Sequence, residues 1–172
     1  YAAADGALVW ERRYNGPANN DDGPSALTLD REGNVIVTGL SPARSQGGSD
    51  AYTAKYAAAD GALLWEARYF GPLNGPARPV GVAVDAEGNV VVAGLADDYT
   101  GRPVQFVVKY AGTNGSLLWE SRYFDRDTGV YQPNALTLDR EGNAVLAGWG
   151  LTVKFAATDG RVLWKRNCPA NL

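Results

Sequence analysis

Ala83-Val-Asp-Ala-Glu-Gly-Asn-Val-Val-Val-Ala-Gly94 is the stretch that decides the fold. Two β-branched runs, Pro79–Asp85 and Asn89–Gly94, flank a short turn that contains Gly88. Two such runs joined by a Gly-containing turn predict a β-hairpin. Gly88 supplies the left-handed backbone that closes it. A third run follows at Val104–Tyr110 and a fourth at Ser116–Tyr123. Between them sits Thr113-Asn-Gly115, and Asn-Gly is a strong hairpin signal. The first two runs are almost continuously apolar, which predicts burial on both faces. The fourth alternates: Leu117, Trp119, Ser121 and Tyr123 share one face, Leu118, Glu120 and Arg122 the other.

The pattern is written more than once. Copies begin at Tyr1, Tyr56, Tyr110 and Phe155, with a period of about fifty residues. Gly-Asn turns recur at Gly33-Asn34, Gly88-Asn89 and Gly142-Asn143, and the second turn recurs at Asp5-Gly6, Asp60-Gly61, Asn114-Gly115 and Asp159-Gly160. No capped helical pattern interrupts them. Four strands, inner ones buried and the outer one half exposed, describe a propeller blade. The expected architecture is an all-β propeller arc of four-stranded antiparallel blades. Complete blades are placed at about 25–69, 79–123 and 133–167 in one repeat domain, 1–172. One N-terminal outer strand, about Ala7 to Tyr14, is left from a preceding blade. Closed propellers have about 4–8 blades, so three are an arc of a longer parent or are completed by another copy. The chain has no Met, so Tyr1 is expected to be a processed or truncated end.

The hairpin above, with Phe106-Val-Val-Lys-Tyr110 and Asn114-Gly-Ser-Leu-Leu-Trp119, resembles the SBBP family of bacterial β-propeller repeats. Its first two strands also look like an NHL-repeat hairpin. The resemblance covers essentially the whole chain. It implies secreted or cell-surface bacterial proteins and brings no shared catalytic motif. Ala58-Ala-Asp-Gly-Ala-Leu-Leu-Trp65 is similar to the tryptophan-docking segment of quinoprotein propellers, which bind pyrroloquinoline quinone. It departs from them at Asp60, where they carry threonine, and brings no recognisable cofactor pocket. No cofactor is expected.

Composition removes several function classes. Net charge is −3 with both signs interspersed, against the basic stripe of a nucleic-acid surface. No apolar run reaches the length of a membrane span. There is no His and one Cys, Cys168, which reads as a small hydrophobe. The Asp-x-Glu-Gly-Asn turns at Asp30, Asp85 and Asp139 are too short for EF-hand-type calcium loops, and no metal is expected.

Repeated positions read as architecture. Trp10, Trp65, Trp119 and Trp164 fall at one place in the fourth strand and are expected to pack between blades. Lys55, Lys109 and Lys154 repeat near the end of the third strand. Glu11/Arg13, Glu66/Arg68 and Glu120/Arg122 read as solvated ion pairs on the outer strand.

Non-repeated positions read as function. Links between the fourth and first strands, and between the second and third, fall on one rim of an up-and-down blade. These links vary from copy to copy, and loops on rigid scaffolds carry binding. The candidate binding residues there are Asp97, Asp98, Tyr99 and Arg102, then Asp125, Asp127 and Tyr131, and Trp149. The favoured reading is a non-enzymatic scaffold or recognition module, extracellular, cell-surface or periplasmic. It would bind a protein or glycan on the rim, and other copies or the rest of its parent at the open blade faces. A carboxylate-based hydrolase is the first alternative, recognisable by two non-repeated carboxylates facing one cleft. A self-assembling surface or filament protein is the second.

Overall fold

The computed structural model describes residues 2, 4–42, 50–98, 100–124 and 132–167. Among them run three four-stranded sheets, each made of four consecutive strands paired antiparallel to their neighbours. The first holds β1 (Gly23–Leu29), β2 (Val35–Ser41), β3 (Asp50–Tyr56) and β4 (Leu63–Tyr69). The second holds β5 (Ala77–Val84), β6 (Val90–Asp97), β7 (Pro103–Tyr110) and β8 (Leu117–Tyr123). The third holds β9 (Pro133–Leu138), β10 (Ala144–Gly148), β11 (Leu151–Phe155) and β12 (Val162–Asn167). This is the expected partial propeller.

The first turn of each blade is built by its aspartate. In the second blade Asp85 Oδ1 accepts from the backbone N–H of Glu87 at 3.0 Å and of Asn89 at 2.7 Å. Gly88 sits at φ +83° and donates to Asp85 O at 3.1 Å. Asp30 and Asp139 close the other two blades in the same way. These carboxylates are occupied as turn caps.

The core lies between blades. Along β6, Val90 and Val92 face the first blade, where they meet Ile36, Ala51, Trp65 and Tyr69. Val91 and Ala93 face the third, where they meet Leu146, Leu151, Val153 and Phe155. Strand alternation thus lets the second blade cement both neighbours.

Two expectations are corrected. First strands are not buried on both faces in every blade. β5, between β1 and β9, is buried or half-buried except at Arg78, whereas Leu27 and Leu29 of β1 are exposed, Leu27 at 69%. Burial of a first strand requires a blade on each side, and among the described residues β1 has one. Residues 7–14 also form no β-strand. They lie along the first blade as an outer strand would, with Trp10 Nε1 donating to Ala58 O at 2.9 Å and Arg12 Nε to Gly61 O. No third strand pairs with them among the described residues, so no ladder forms.

Candidate functional site

The strand order places the β2–β3, β6–β7 and β10–β11 links on one rim, together with the β4–β5 and β8–β9 links. On that rim Asp97 ends β6 and reaches Arg78 Nη1 at 3.9 Å. Asp98 is spent on its own turn: Oδ1 accepts from the N–H and hydroxyl of Thr100, each at 2.7 Å, and from Arg102 N–H at 2.9 Å. The Thr100 hydroxyl and the Arg102 N–H hold the Asp98 carboxyl below its usual range. Arg102 is exposed. Trp149 stands in the tight β10–β11 link and is 75% exposed. Its backbone N–H donates to Gln132 O at 3.3 Å, and its indole Nε1 lies 3.1 Å from the side-chain amide of Asn134. The polar contacts of Trp149 stay in its own blade, as do those of Asp97 and Asp98 in theirs. Tyr99, Asp125, Asp127, Tyr131 and Cys168 lie outside the described residues.

The repeated residues build the joints between blades, and here the structure exceeds the sequence reading. Trp65 Nε1 donates to Gly112 O of the next blade at 3.0 Å, and Trp119 Nε1 to Ala157 O at 2.9 Å. Each carbonyl takes a second donor from the same blade: Lys55 Nζ reaches Gly112 O at 3.0 Å and Lys109 Nζ reaches Ala157 O at 3.1 Å. The lysines are in turn paired with the turn-capping aspartates, Lys55 with Asp30 and Lys109 with Asp85, both at 2.8 Å. Burial would raise the Asp30 carboxyl, but Lys55 and Asn34 outweigh it and hold the group down to about 2. Asp85 is lowered in the same way against burial, by Lys109 and Asn89, and Asp139 by Lys154 and Asn143.

The glycine of each second turn completes the joint. A Cβ on Gly115 would stand 2.7 Å from the Trp65 ring, and the backbone there is left-handed at φ +71°. Gly61 seats Trp10 and Gly160 seats Trp119. The asparagine-glycine signal was legible in the sequence. That a ring from the neighbouring blade requires the glycine was not.

The outer-strand ion-pair reading holds for Glu11–Arg13 at 3.3 Å and Glu120–Arg122 at 3.2 Å. It fails for Glu66 and Arg68. Glu66 accepts from Tyr52 OH at 2.6 Å, while Arg68 turns to Ser41 O at 3.0 Å and to the Tyr14 hydroxyl. Tyr14 stacks on Tyr52 at 4.2 Å and draws that arginine inward.

Between residues 10–14 and the first blade lies a cleft of about 310 Å³, walled by Trp10, Tyr14, Tyr52, Tyr56 and Val37. Arg12 and Asp22 are the charged residues lining it. A single carboxylate does not make the pair a glycosidase needs. At the next joint the corresponding space is filled by Ile36 and Ala51 of β2 and β3. The cleft therefore has the shape of an unfilled blade position.

The family model of the outer membrane protein assembly factor BamB matches residues 1–171. The chain belongs to that family. BamB from Moraxella catarrhalis is similar in structure, with a TM-score of 0.52 and 15% identity over 85% of this chain and 38% of its own. Quinohemoprotein alcohol dehydrogenase from Comamonas testosteroni has a TM-score of 0.58 and 14% identity over 82% of this chain and 28% of its own. At these identities the likeness is one of fold, and the chain spans well under half of either structure. No curated protein matches it. Among the described residues no three His, Cys, Asp or Glu side chains gather to hold a metal. No helix among them is long and apolar enough to cross a membrane.

Proposed function

We propose that this chain is a propeller segment that recognises protein through its loop-bearing rim, without catalysing a reaction. The single observation that carries the reading is Trp149. A tryptophan exposed at 75% sits outside the repeat register, on the rim where the links vary. Large aromatic anchors of this kind dominate binding energy at protein interfaces. The asparagine beside its indole nitrogen orients the ring, which reduces the ordering entropy that binding must offset. Arg102, exposed, and Asp97, half-buried beside Arg78, put charge on the same rim in the second blade.

The BamB relationship supports a protein partner and a role in assembly at the bacterial envelope. The location that accords with this is periplasmic or attached to the outer membrane. The narrower SBBP kinship rests on the residues of the hairpin. Three blades of a fold that closes at about four or more also favour placing the chain in a larger propeller.

The test is binding of a fluorescent peptide that copies one hairpin of an outer-membrane β-barrel, followed by anisotropy. Trp149→Ala is expected to weaken it at least 10-fold, while Leu118→Ala on the outer strand leaves it unchanged. Equal effects of the two substitutions, or no binding by the unaltered chain, would overturn the rim reading.

A further inference from the structure

The joints between blades take cations inward and leave carboxylates outside. Lys55 and Lys109 are buried, each paired with a turn aspartate at 2.8 Å and donating to a carbonyl of the next blade. Arg68 is drawn in as well: its Nη1 donates to Ser41 O at 3.0 Å and lies 3.8 Å from Asp50. Glu66, two residues before it in β4, stays exposed and accepts from Tyr52 OH at 2.6 Å. Asp60, in the turn before β4, is exposed too. So are Glu32 in the first turn of the same blade and Glu87 in the first turn of the next. These turns adjoin one another: Ala58 N–H donates to the Asn34 side chain at 3.1 Å, and Gly112 N–H to that of Asn89 at 3.4 Å. Trp65 of β4 links the two blades through Gly112 O. On these turns Arg31 is the exposed cation against the carboxylates.

Leu63 and Leu64 open β4 between Asp60 and Glu66, and they are 51% and 49% exposed. Their exposure does not come from a missing neighbour. Residues 7–14 lie against the first blade on one side and the second blade packs on the other. Leu117 of β8, whose blade packs on a complete blade at each side, is as exposed at 53%. The two strands differ in their guard. β8 carries the Glu120–Arg122 pair at 3.2 Å, and residues 7–14 carry Glu11–Arg13 at 3.3 Å. Paired charges of this kind blunt an edge. In β4 the arginine has gone inward, and Glu66 keeps no ion pair among the described residues.

We infer that the outer edge of the first blade is a docking surface for a partner-protein segment in which lysine or arginine is interspersed with large apolar side chains. Leu63 and Leu64 supply the apolar centre. Asp60, Glu66, Glu32 and Glu87 select positive charge and speed its arrival. The same carboxylates repel an anionic lipid surface. This edge adjoins the turns, opposite the rim that carries Trp149, so the inference stands apart from the rim reading.

The test is fluorescence anisotropy on the 172-residue chain with two labelled peptides, one of leucine and lysine and one of leucine and glutamate in the same order. The leucine–lysine peptide is expected to bind, more weakly as salt rises, and the leucine–glutamate peptide to stay free. Leu63→Ser with Leu64→Ser is expected to weaken binding at least 10-fold, and Glu66→Gln about 3-fold with a shallower salt dependence. Both leucines are exposed, so the variant keeps its fold, which circular dichroism checks; Leu64→Ser alone replaces the pair if sheet content falls. Trp149→Ala is expected to bind as the unaltered chain does, which separates this surface from the rim. Equal binding of the two peptides, undiminished binding by the leucine variants or loss of binding in Trp149→Ala would each overturn the inference. So would capture of the chain by phosphatidylethanolamine–phosphatidylglycerol vesicles in preference to the leucine–lysine peptide, or self-association that the leucine variants abolish.

Discussion

Replacing the same tryptophan at two places in the array tests how the blades hold together. Trp65 is 6% exposed, sits over Gly115 and donates to Gly112 O, while Trp164 is 38% exposed and meets no further blade among the described residues. A buried aromatic of this size removes about 150–250 Å² from water, or about 4–6 kcal/mol at 25 cal/mol per Å². The unfolded chain already hides part of that area, and alanine keeps its Cβ, which brings the expectation for Trp65→Ala to about 3–5 kcal/mol. The lost hydrogen bond adds little, because Gly112 O keeps its bond from Lys55 Nζ at 3.0 Å and is not orphaned. Trp164→Ala loses a partly hydrated ring and no turn contact within the chain, so about 1–2 kcal/mol is expected. Urea unfolding followed by circular dichroism measures both, at protein concentrations low enough to keep the chains apart. Losses equal within about 0.5 kcal/mol would refute the claim that the following blade is what makes this residue matter.

Asp85→Asn is expected to destabilise by about 3–5 kcal/mol, because it leaves Lys109 buried without its counter-charge; Asp139→Asn, at a more hydrated pair, should cost less in the same unfolding assay. Acid sensitivity follows from the same carboxylates. Their folded-state pKa values are lowered, Asp30 to about 2, so their stabilisation is complete above the unfolded value of about 3.9 and is lost as pH falls toward 2. Melting temperatures taken from pH 5 to pH 2 should drop mainly below about pH 4, and a flat profile would contradict the pairing. EDTA is expected to leave the melting temperature unchanged, since the turn aspartates already cap backbone N–H groups and pair with lysines; a fall restored by calcium would show a metal site.

The sequence by itself determined the blade. Alternation in Leu117–Tyr123, the Gly-Asn turn at Gly88 and the repetition of both are local facts, and antiparallel neighbours in a blade are also neighbours in sequence. It also marked the rim, because the links that break the repeat fall between fixed strands. What it did not determine was what meets what across blades. Trp65 and Gly112 are 47 residues apart, and nothing in either neighbourhood announces that one carbonyl receives both a ring N–H and an ammonium. The same distance effect turned Arg68 away from Glu66, since Tyr14 and Ser41 arrive from elsewhere in the chain. Residues 7–14 show the limit most plainly. Their sequence is that of an outer strand, but a strand is completed by its partner's hydrogen bonds, and only the tertiary structure decides whether that partner is present.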